Sequence, residues 1–158
     1  MNNKNNIDNK VVDDFGKEWK AFNHQGMENN ALKSAFDSYF HFFPFNDLKD
    51  AEGFDMGCGS GRWAQFVAKK VGLLNCIDPS HLALDQAKLN LADATNCSLE
   101  CAGVDSNSLQ DDSQDFGYSL GVLHHIPDTT LALQSCSKKL KAGAPFLLYL
   151  YYLSLIHI

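Results

Sequence analysis

No apolar run in this chain approaches the roughly 20 residues needed to cross a bilayer; the longest, Ala144 to Ile156, is far shorter and reads as a buried strand. No membrane span is therefore expected. The segment Met1 to Asn9 is rich in Asn and Lys and lacks the apolar stretch of a secretory signal, so residues 1–12 read as a disordered lead-in. The five cysteines, Cys58, Cys76, Cys97, Cys101 and Cys136, form an odd set with no C-x-x-C pair. They suggest neither a disulfide framework nor a zinc site, and fit reduced thiols in a cytoplasmic protein. Positive charge is also short: 13 Lys and Arg against 19 Asp and Glu give a formal net charge of −6, so a broad nucleic-acid footprint is not expected. There is no internal repeat and no low-complexity tract beyond the N-terminal asparagines. At 158 residues the chain suits one domain with a real core, and its oligomeric state is left open.

What the chain does have is an apolar run that ends in a carboxylate and then breaks into alternate glycines, Phe54-Asp55-Met56-Gly57-Cys58-Gly59-Ser60-Gly61-Arg62-Trp63-Ala64. Glycine reaches positive φ and leaves room for a ligand against the main chain, while the helix that follows presents unpaired N–H groups. This predicts a strand, a tight loop and a helix start around a nucleotide-type ligand. Read as Gly59-x-Gly61-x-x-Ala64, the turn fits the dinucleotide fingerprint, and Asp78 lies about 20 residues on, where a ribose-binding acid belongs. An NAD-dependent oxidoreductase passes that spacing test. A pyrophosphate, however, wants positive potential at a helix N-terminus, and the negative charge of Asp55 beside the turn suits a ligand bearing an amino group better.

From Ala51 onward, strand and helix patterns alternate: strand to Met56, helix Gly61 to Val71, strand Leu73 to Ile77, helix Ser80 to Asp93, strand Ser98 to Ala102, strand Phe116 to Leu120, helix Thr129 to Leu140 and strand Pro145 to Tyr152. Such alternation implies an α/β fold with a parallel sheet covered by helices on both faces. Ser80 is a good N-cap for its helix. Two leading helices are expected within residues 13–50. One carries Phe15, Trp19 and Phe22, which read first as packing residues; the other has an apolar face of Leu32, Ala35, Phe36, Tyr39, Phe40 and Phe43 before Pro44 stops it. Ligands of these sheets sit at the carboxyl ends of the strands, where Gly57, Asp78, Asp105 and Gly121 all fall.

The motif Asp55-Met56-Gly57-Cys58-Gly59-Ser60-Gly61 resembles the first motif of class I S-adenosylmethionine-dependent methyltransferases, and the likeness runs through residues 52–152. Segment 115–128, with Leu123-His124-His125-Ile126-Pro127, resembles the fourth strand and following loop of the small-molecule branch, similar to ubiquinone and menaquinone biosynthesis methyltransferases. Lys139 to Leu148 looks like the turn into the fifth strand, with Ala142 where Pro is commoner. The resemblance implies a three-layer Rossmann-like methyltransferase fold over residues 51–152, with the leading helices over the cofactor mouth. It implies S-adenosyl-L-methionine as cofactor, held by Asp55, Gly57, Gly59, Gly61, Asp78, Asp105 and Gly121, with Asp78 on the ribose hydroxyls and Asp105 near the adenine amino group. A small-molecule methyl acceptor is implied with it.

His124 and His125 are the paired candidates for a general base, and since adjacent residues in an extended turn point apart, one of them at most faces the acceptor. His125 is the candidate taken, against a purely structural hydrogen-bonding role for both. No third ligand is spaced for a metal. Arg62 is placed to reach the cofactor's carboxylate, and Trp63, Tyr149, Tyr151 and Tyr152 read as packing residues. The closing hexapeptide, residues 153–158, resembles the in-frame translation of a transposon-end adaptor used in sequencing libraries, and the family pattern continues beyond a fifth strand. The chain thus reads as a fragment, with an apolar fifth-strand edge that invites association and a prospect of inactivity. A non-catalytic S-adenosylmethionine-binding module is the further alternative.

Overall fold

The computed structural model describes residues 6–21 and 29–151, without the side chains of Phe15, Glu18, Trp19, Lys20, Ala21 and Asn29. Phe22, Tyr152 and the closing hexapeptide lie outside the described residues, as do the side chains of Phe15 and Trp19. The elements run α1 (Asn9–Ala21), α2 (Asn29–Tyr39), β1 (Glu52–Met56), α3 (Ala64–Val67), β2 (Leu73–Asp78), α4 (His81–Asn90), β3 (Cys97–Cys101), β4 (Phe116–Leu120), α5 (Thr129–Lys139) and β5 (Phe146–Tyr149). Short 3₁₀ turns cover Phe45–Asp47, Ala68–Lys70 and Leu123–His125.

The five strands form one parallel sheet in the order β3-β2-β1-β4-β5. The chain leaves β1 toward one edge through β2 and β3, then returns to the other side of β1 for β4 and β5. Because parallel crossovers are right-handed, that reversal sends the early helices to one face and α5 to the other. The core divides accordingly. Phe36 of α2, Val67 of α3 and Leu84 of α4 pack with Cys76, Phe116 and Tyr118 on one face; Ala132 and Cys136 of α5 pack with Phe54, Met56 and Ile77 on the other. The fold is the Rossmann-like α/β/α architecture expected from the alternation of elements.

The central pair β1 and β4 is joined by two reciprocal exchanges of ring for glycine. Gly53 pairs with Phe116 and Phe54 with Gly117. A Cβ on Gly53 would fall 2.5 Å from the Phe116 ring, and one on Gly117 2.4 Å from Phe54. Each ring therefore lies flat over its neighbour's glycine, one on each face of the sheet. Ser80 caps α4 as expected, its hydroxyl accepting from Ala83 N–H at 3.4 Å, and Asp128 caps α5 by accepting from Leu131 N–H at 2.8 Å. The helix expected from Gly61 to Val71 is shorter: positive φ at Gly61 holds residues 60–63 in a turn, and α3 begins only at Ala64. The lead-in differs too, since Asn6 is buried, Ile7 is half-buried and α1 already begins at Asn9.

Candidate functional site

A cavity of about 310 Å³ opens at the carboxyl ends of β1, β2, β4 and β5, at the reversal of strand order. That volume falls at the lower end of small-molecule pockets. Its floor is the glycine turn. Gly57 has φ +79°, and its N–H and that of Cys58 both donate to Ile77 C=O, at 2.8 and 3.1 Å. These bonds splice the turn onto the end of β2 and bring Gly57 and Cys58 to the cavity wall beside Asp78.

Asp78 is the buried carboxylate at the strand ends that faces the cavity. Its Oδ2 accepts from Gly59 N–H at 2.8 Å and its Oδ1 from Ser80 N–H at 2.8 Å, so one side chain ties the glycine turn to the start of α4. Burial raises its pKa, while the two backbone N–H groups pull the other way. Each oxygen keeps acceptor capacity for a ligand hydroxyl. The donor set is chemically suited to a nucleoside: a carboxylate for hydroxyls, backbone free of Cβ at Gly57 and Gly121, and apolar walls from Met56, Ile77, Val104 and Leu123.

The expected site residues divide into two groups. Gly57, Asp78, Gly121 and His125 line the cavity; Asp55, Gly59, Gly61 and Asp105 do not. Asp55 is the largest correction. Strand side chains alternate between faces, so with Phe54 and Met56 turned to the α5 face, Asp55 turns to the other. There, 2% exposed, it accepts a 2.8 Å hydrogen bond from Tyr118 Oη. Burial pushes its pKa up to about 8, with the Tyr118 hydrogen bond acting in the opposite sense. A neutral, hidden carboxyl does not supply the negative potential beside the turn on which the preference against a pyrophosphate rested. Gly61 instead permits close packing on α4, since a Cβ there would be 3.0 Å from Leu91 Cδ1. Asp105 accepts from the backbone N–H of Asn6 at 3.3 Å.

The raised Asp55 pKa gives a stability prediction with a definite sign. Between its ordinary value of 3.8 and about 8, the folded protein holds a proton that the unfolded chain has released, so stability falls as pH rises through that window and levels off above it. The slope for one such group approaches about 1.4 kcal/mol per pH unit, and Asp78, also raised, adds in the same direction. Asp55→Asn keeps a hydrogen-bonding group beside Tyr118 and cannot titrate. Urea midpoints measured at pH 5, 7 and 9 are expected to decline in the parent protein and to flatten in the variant; parallel declines would show that Asp55 is ionised throughout.

The far end of the cavity is aromatic. Tyr39 meets Tyr149 edge-on with centroids 5.1 Å apart and lies 5.4 Å from Trp63, and the Arg62 guanidinium sits 4.3 Å over the Trp63 ring. His125 Nε2 lies 2.9 Å from Tyr151 Oη. Burial lowers the pKa of His125, keeping the imidazole neutral at pH 7. His124 does not line the cavity; its ring centroid lies 4.0 Å from that of His125, tilted, and 3.9 Å from that of Tyr151, edge-on, and its two nitrogens find no hydrogen-bond partner among the described residues. The two histidines do not point apart as expected for an extended turn: residues 123–125 form a 3₁₀ turn, and both rings lie against Tyr151, though only His125 lines the cavity. The tyrosines read as packing residues, Tyr149 and Tyr151, line the cavity as Tyr39 does.

Asn6, Ile7, Asp8, Val11 and Val12 complete the wall, and these the sequence reading assigned to the lead-in. One local signal was available: Asp8 heads a helix, its Oδ1 accepting from Lys10 N–H at 3.0 Å and Val11 N–H at 3.3 Å. Among the described residues no group of three His, Cys, Asp or Glu is placed to hold a metal ion, and no helix is long and apolar enough to cross a membrane.

Comparison with known proteins bears on the same residues. A ubiquinone biosynthesis O-methyltransferase from Coxiella burnetii is 29% identical over 98 residues, covering 61% of this chain and 42% of that relative; the chain thus spans under half the length of the curated relatives it matches. A Methanococcus maripaludis structure, that of a candidate S-adenosyl-L-methionine-dependent methyltransferase, superposes with a TM-score of 0.69 at 19% identity, over 95% of this chain and 66% of that one. Phosphoethanolamine N-methyltransferase 1 of Haemonchus contortus, solved with phosphoethanolamine and S-adenosylhomocysteine, gives 0.67 at 15% identity, over 89% of this chain and 32% of that one. Structural likeness at such identities carries the fold alone. Residues 54–148, from the middle of β1 into β5, match the family model of the methyltransferase domain. That span takes in the glycine turn, Asp78 and the strands that surround the cavity, and the chain belongs to the methyltransferase-domain family of S-adenosylmethionine-dependent enzymes.

Proposed function

We propose that this domain binds S-adenosyl-L-methionine in the cavity at the carboxyl ends of β1, β2 and β4 and transfers its methyl group to a small molecule held at the aromatic end. The observation that carries the reading is the convergence of Asp78, the Gly57 turn and Gly121 on one cavity at the sheet's switch point. When bound, the cofactor supplies a methyl group already activated on a sulfonium. The chain's own task is then to orient and to exclude water. Asp78 accepts hydrogen bonds from ribose hydroxyls, and Gly57 and Gly121 let backbone lie close to the nucleoside. Positioning of this kind contributes up to roughly 7–11 kcal/mol in favourable cases.

At the acceptor end, Tyr39, Trp63, Tyr149 and Tyr151 offer ring faces and edges to a planar molecule. The name of the Coxiella relative favours oxygen as the methylated atom and a hydroxylated quinone precursor as the acceptor class. An acceptor hydroxyl donates to Tyr151 Oη while Tyr151 donates to His125 Nε2, so loss of the acceptor proton ends on His125. General-base help of this sort is worth roughly 10²–10⁴-fold.

An NAD-binding reading keeps one observation in its favour: buried and neutral below about pH 8, Asp55 does not repel a pyrophosphate. Calorimetric titration separates the two. S-adenosylhomocysteine is expected to bind and NAD not, and tight NAD binding alone would overturn the proposal. In the same protein, His125→Asn is expected to lower methyl transfer to a simple catechol by at least ~10²-fold at pH 7 while leaving S-adenosylhomocysteine affinity within about twofold. Unchanged turnover would remove His125 from the mechanism.

A further inference from the structure

Residues 6–12 cross the Asp78 end of the cavity as a strap, and one side chain fastens it. Asn6 is 6% exposed. Its Nδ2 donates to Asp128 C=O at 2.8 Å, and its Oδ1 accepts from Asp128 N–H at 2.8 Å. Its own backbone N–H donates to Asp105 Oδ2 at 3.3 Å. Asp105 follows β3 and Asp128 follows β4, so Asn6 bridges the two loops that flank the cavity. The rest of the strap is fitted to the same surface: a Cβ on Gly103 would fall 2.7 Å from Ile7 Cδ1, and one on Gly16 of α1 would fall 2.5 Å from Ser80 Oγ.

The pairing with Asp128 requires an amide. Only a primary carboxamide offers a donor and an acceptor spaced to satisfy one residue's C=O and N–H together; a carboxylate lacks the donor and an aliphatic chain lacks both. Asp128 is the N-cap of α5: its C=O also accepts the helical bond from Ala132 N–H at 3.0 Å, while its N–H donates to Asn6 Oδ1. Asn6, Ile7, Asp8, Val11 and Val12 of the bonded strap line the cavity together with Asp78, Pro79 and Ser80.

We propose that Asn6 is a latch: its paired bonds to Asp128 hold the strap closed over the cavity, and they must open for a nucleoside ligand to enter or leave by that end. Asn6 is thus a positioning residue that sets ligand exchange and takes no part in bond making. Closure stands on the hydrogen bonds alone, whereas the identity of the ligand rests on the function proposed above.

Alkylation of cysteines in the ligand-free protein tests closure without that assumption. Cys58 lines the cavity at 6% exposure, Cys101 is exposed, and Cys136 is buried on the far face of the sheet under α5. With iodoacetamide at pH 8, followed by peptide mass spectrometry, Asn6→Ala is expected to raise the rate at Cys58 about tenfold or more, with Cys101 and Cys136 within about twofold of the parent. Asn6→Gln, which keeps donor and acceptor on a longer stem, is expected to restore part of the protection. Stopped-flow release of S-adenosylhomocysteine is expected to quicken by a similar factor in Asn6→Ala. An unchanged Cys58 rate, a Cys58 increase matched by Cys136, or faster labelling with unchanged ligand release would each overturn the latch. If the parent protein binds no S-adenosylhomocysteine, the cofactor assignment falls, and Cys58 labelling alone decides whether Asn6 holds the strap.

Discussion

Gly57→Ala is expected to destabilise the domain by roughly 2–5 kcal/mol and to abolish measurable S-adenosylhomocysteine binding. Two separate costs add. At φ +79° any Cβ pays the left-handed penalty of about 1–2 kcal/mol. That Cβ would also fall 2.4 and 2.6 Å from the two methyl carbons of Val122, a β-branched side chain with little rotamer freedom to retreat, and forced overpacking costs about 1–3 kcal/mol. Gly143 separates the two costs. Its φ is +81°, yet a Cβ there meets nothing within 4 Å, so Gly143→Ala should show the backbone penalty alone and leave binding intact. Adding Val122→Ala to Gly57→Ala should recover the steric part and no more. Denaturant melts with calorimetric titration read all three variants; a Gly57→Ala protein as stable as its parent would mean that the turn does not hold the geometry described.

The second large effect is expected at Asp78. Removing the carboxylate with Asp78→Ala strips acceptors from Gly59 N–H and Ser80 N–H, so the glycine turn loses its tie to α4 and the cavity loses the acceptor at the end of β2. Hydrogen bonds to charged groups are worth about 1.5–3 kcal/mol each. The loss of ligand contact together with the loosened turn should weaken S-adenosylhomocysteine binding roughly 10²–10³-fold, with a smaller fall in stability. Asp78→Asn is the more discriminating variant. Its amide nitrogen cannot accept, so it keeps one of the two backbone bonds and sets a donor against the other N–H. An intermediate loss of about 10–100-fold is expected. Parental affinity in Asp78→Asn would refute a role for this carboxylate in binding.

Much of the framework could be read from local pattern. β4 was legible at both ends, Phe116–Leu120, because Asp115 precedes and Gly121 follows a short, mostly apolar run, and α4 was legible through the Ser80 cap and its apolar spacing. Gly57 and Asp78 were legible as residues at strand ends. Asp55 was not, because its importance was inferred from position along the chain while its side-chain direction follows from the pleat. A carboxylate two residues before a glycine looks adjacent to the ligand in one dimension; alternation puts it on the opposite face, where Tyr118, a residue from another strand 63 positions away, is its partner. Asp105 failed similarly, since its partner is Asn6, 99 residues earlier.

The lead-in misled for a different reason. Asn and Lys dominate the segment and the cap at Asp8 is its one local signal, whereas Asn6 has meaning only beside Asp128, 122 residues on. The aromatic end of the cavity belongs to the same class: Tyr39, Trp63, Tyr149 and Tyr151 each read as packing residues singly, and only their meeting makes a wall.

The sequence by itself determined that this chain forms a parallel α/β sheet of the methyltransferase-domain kind, with a glycine turn after β1 and an acid at the end of β2. These are fixed by residue type and spacing, through the conformational freedom of glycine, the period of strands and helices, and the stop and cap signals between them. The tertiary structure alone decided that Asp78 and not Asp55 faces the cavity, that His125 and not His124 does, and that Asn6, Ile7 and Asp8 line it. Those outcomes depend on contacts between segments far apart in the chain, and desolvation and hydrogen-bond partners, unlike periodicity, do not exist until the segments meet.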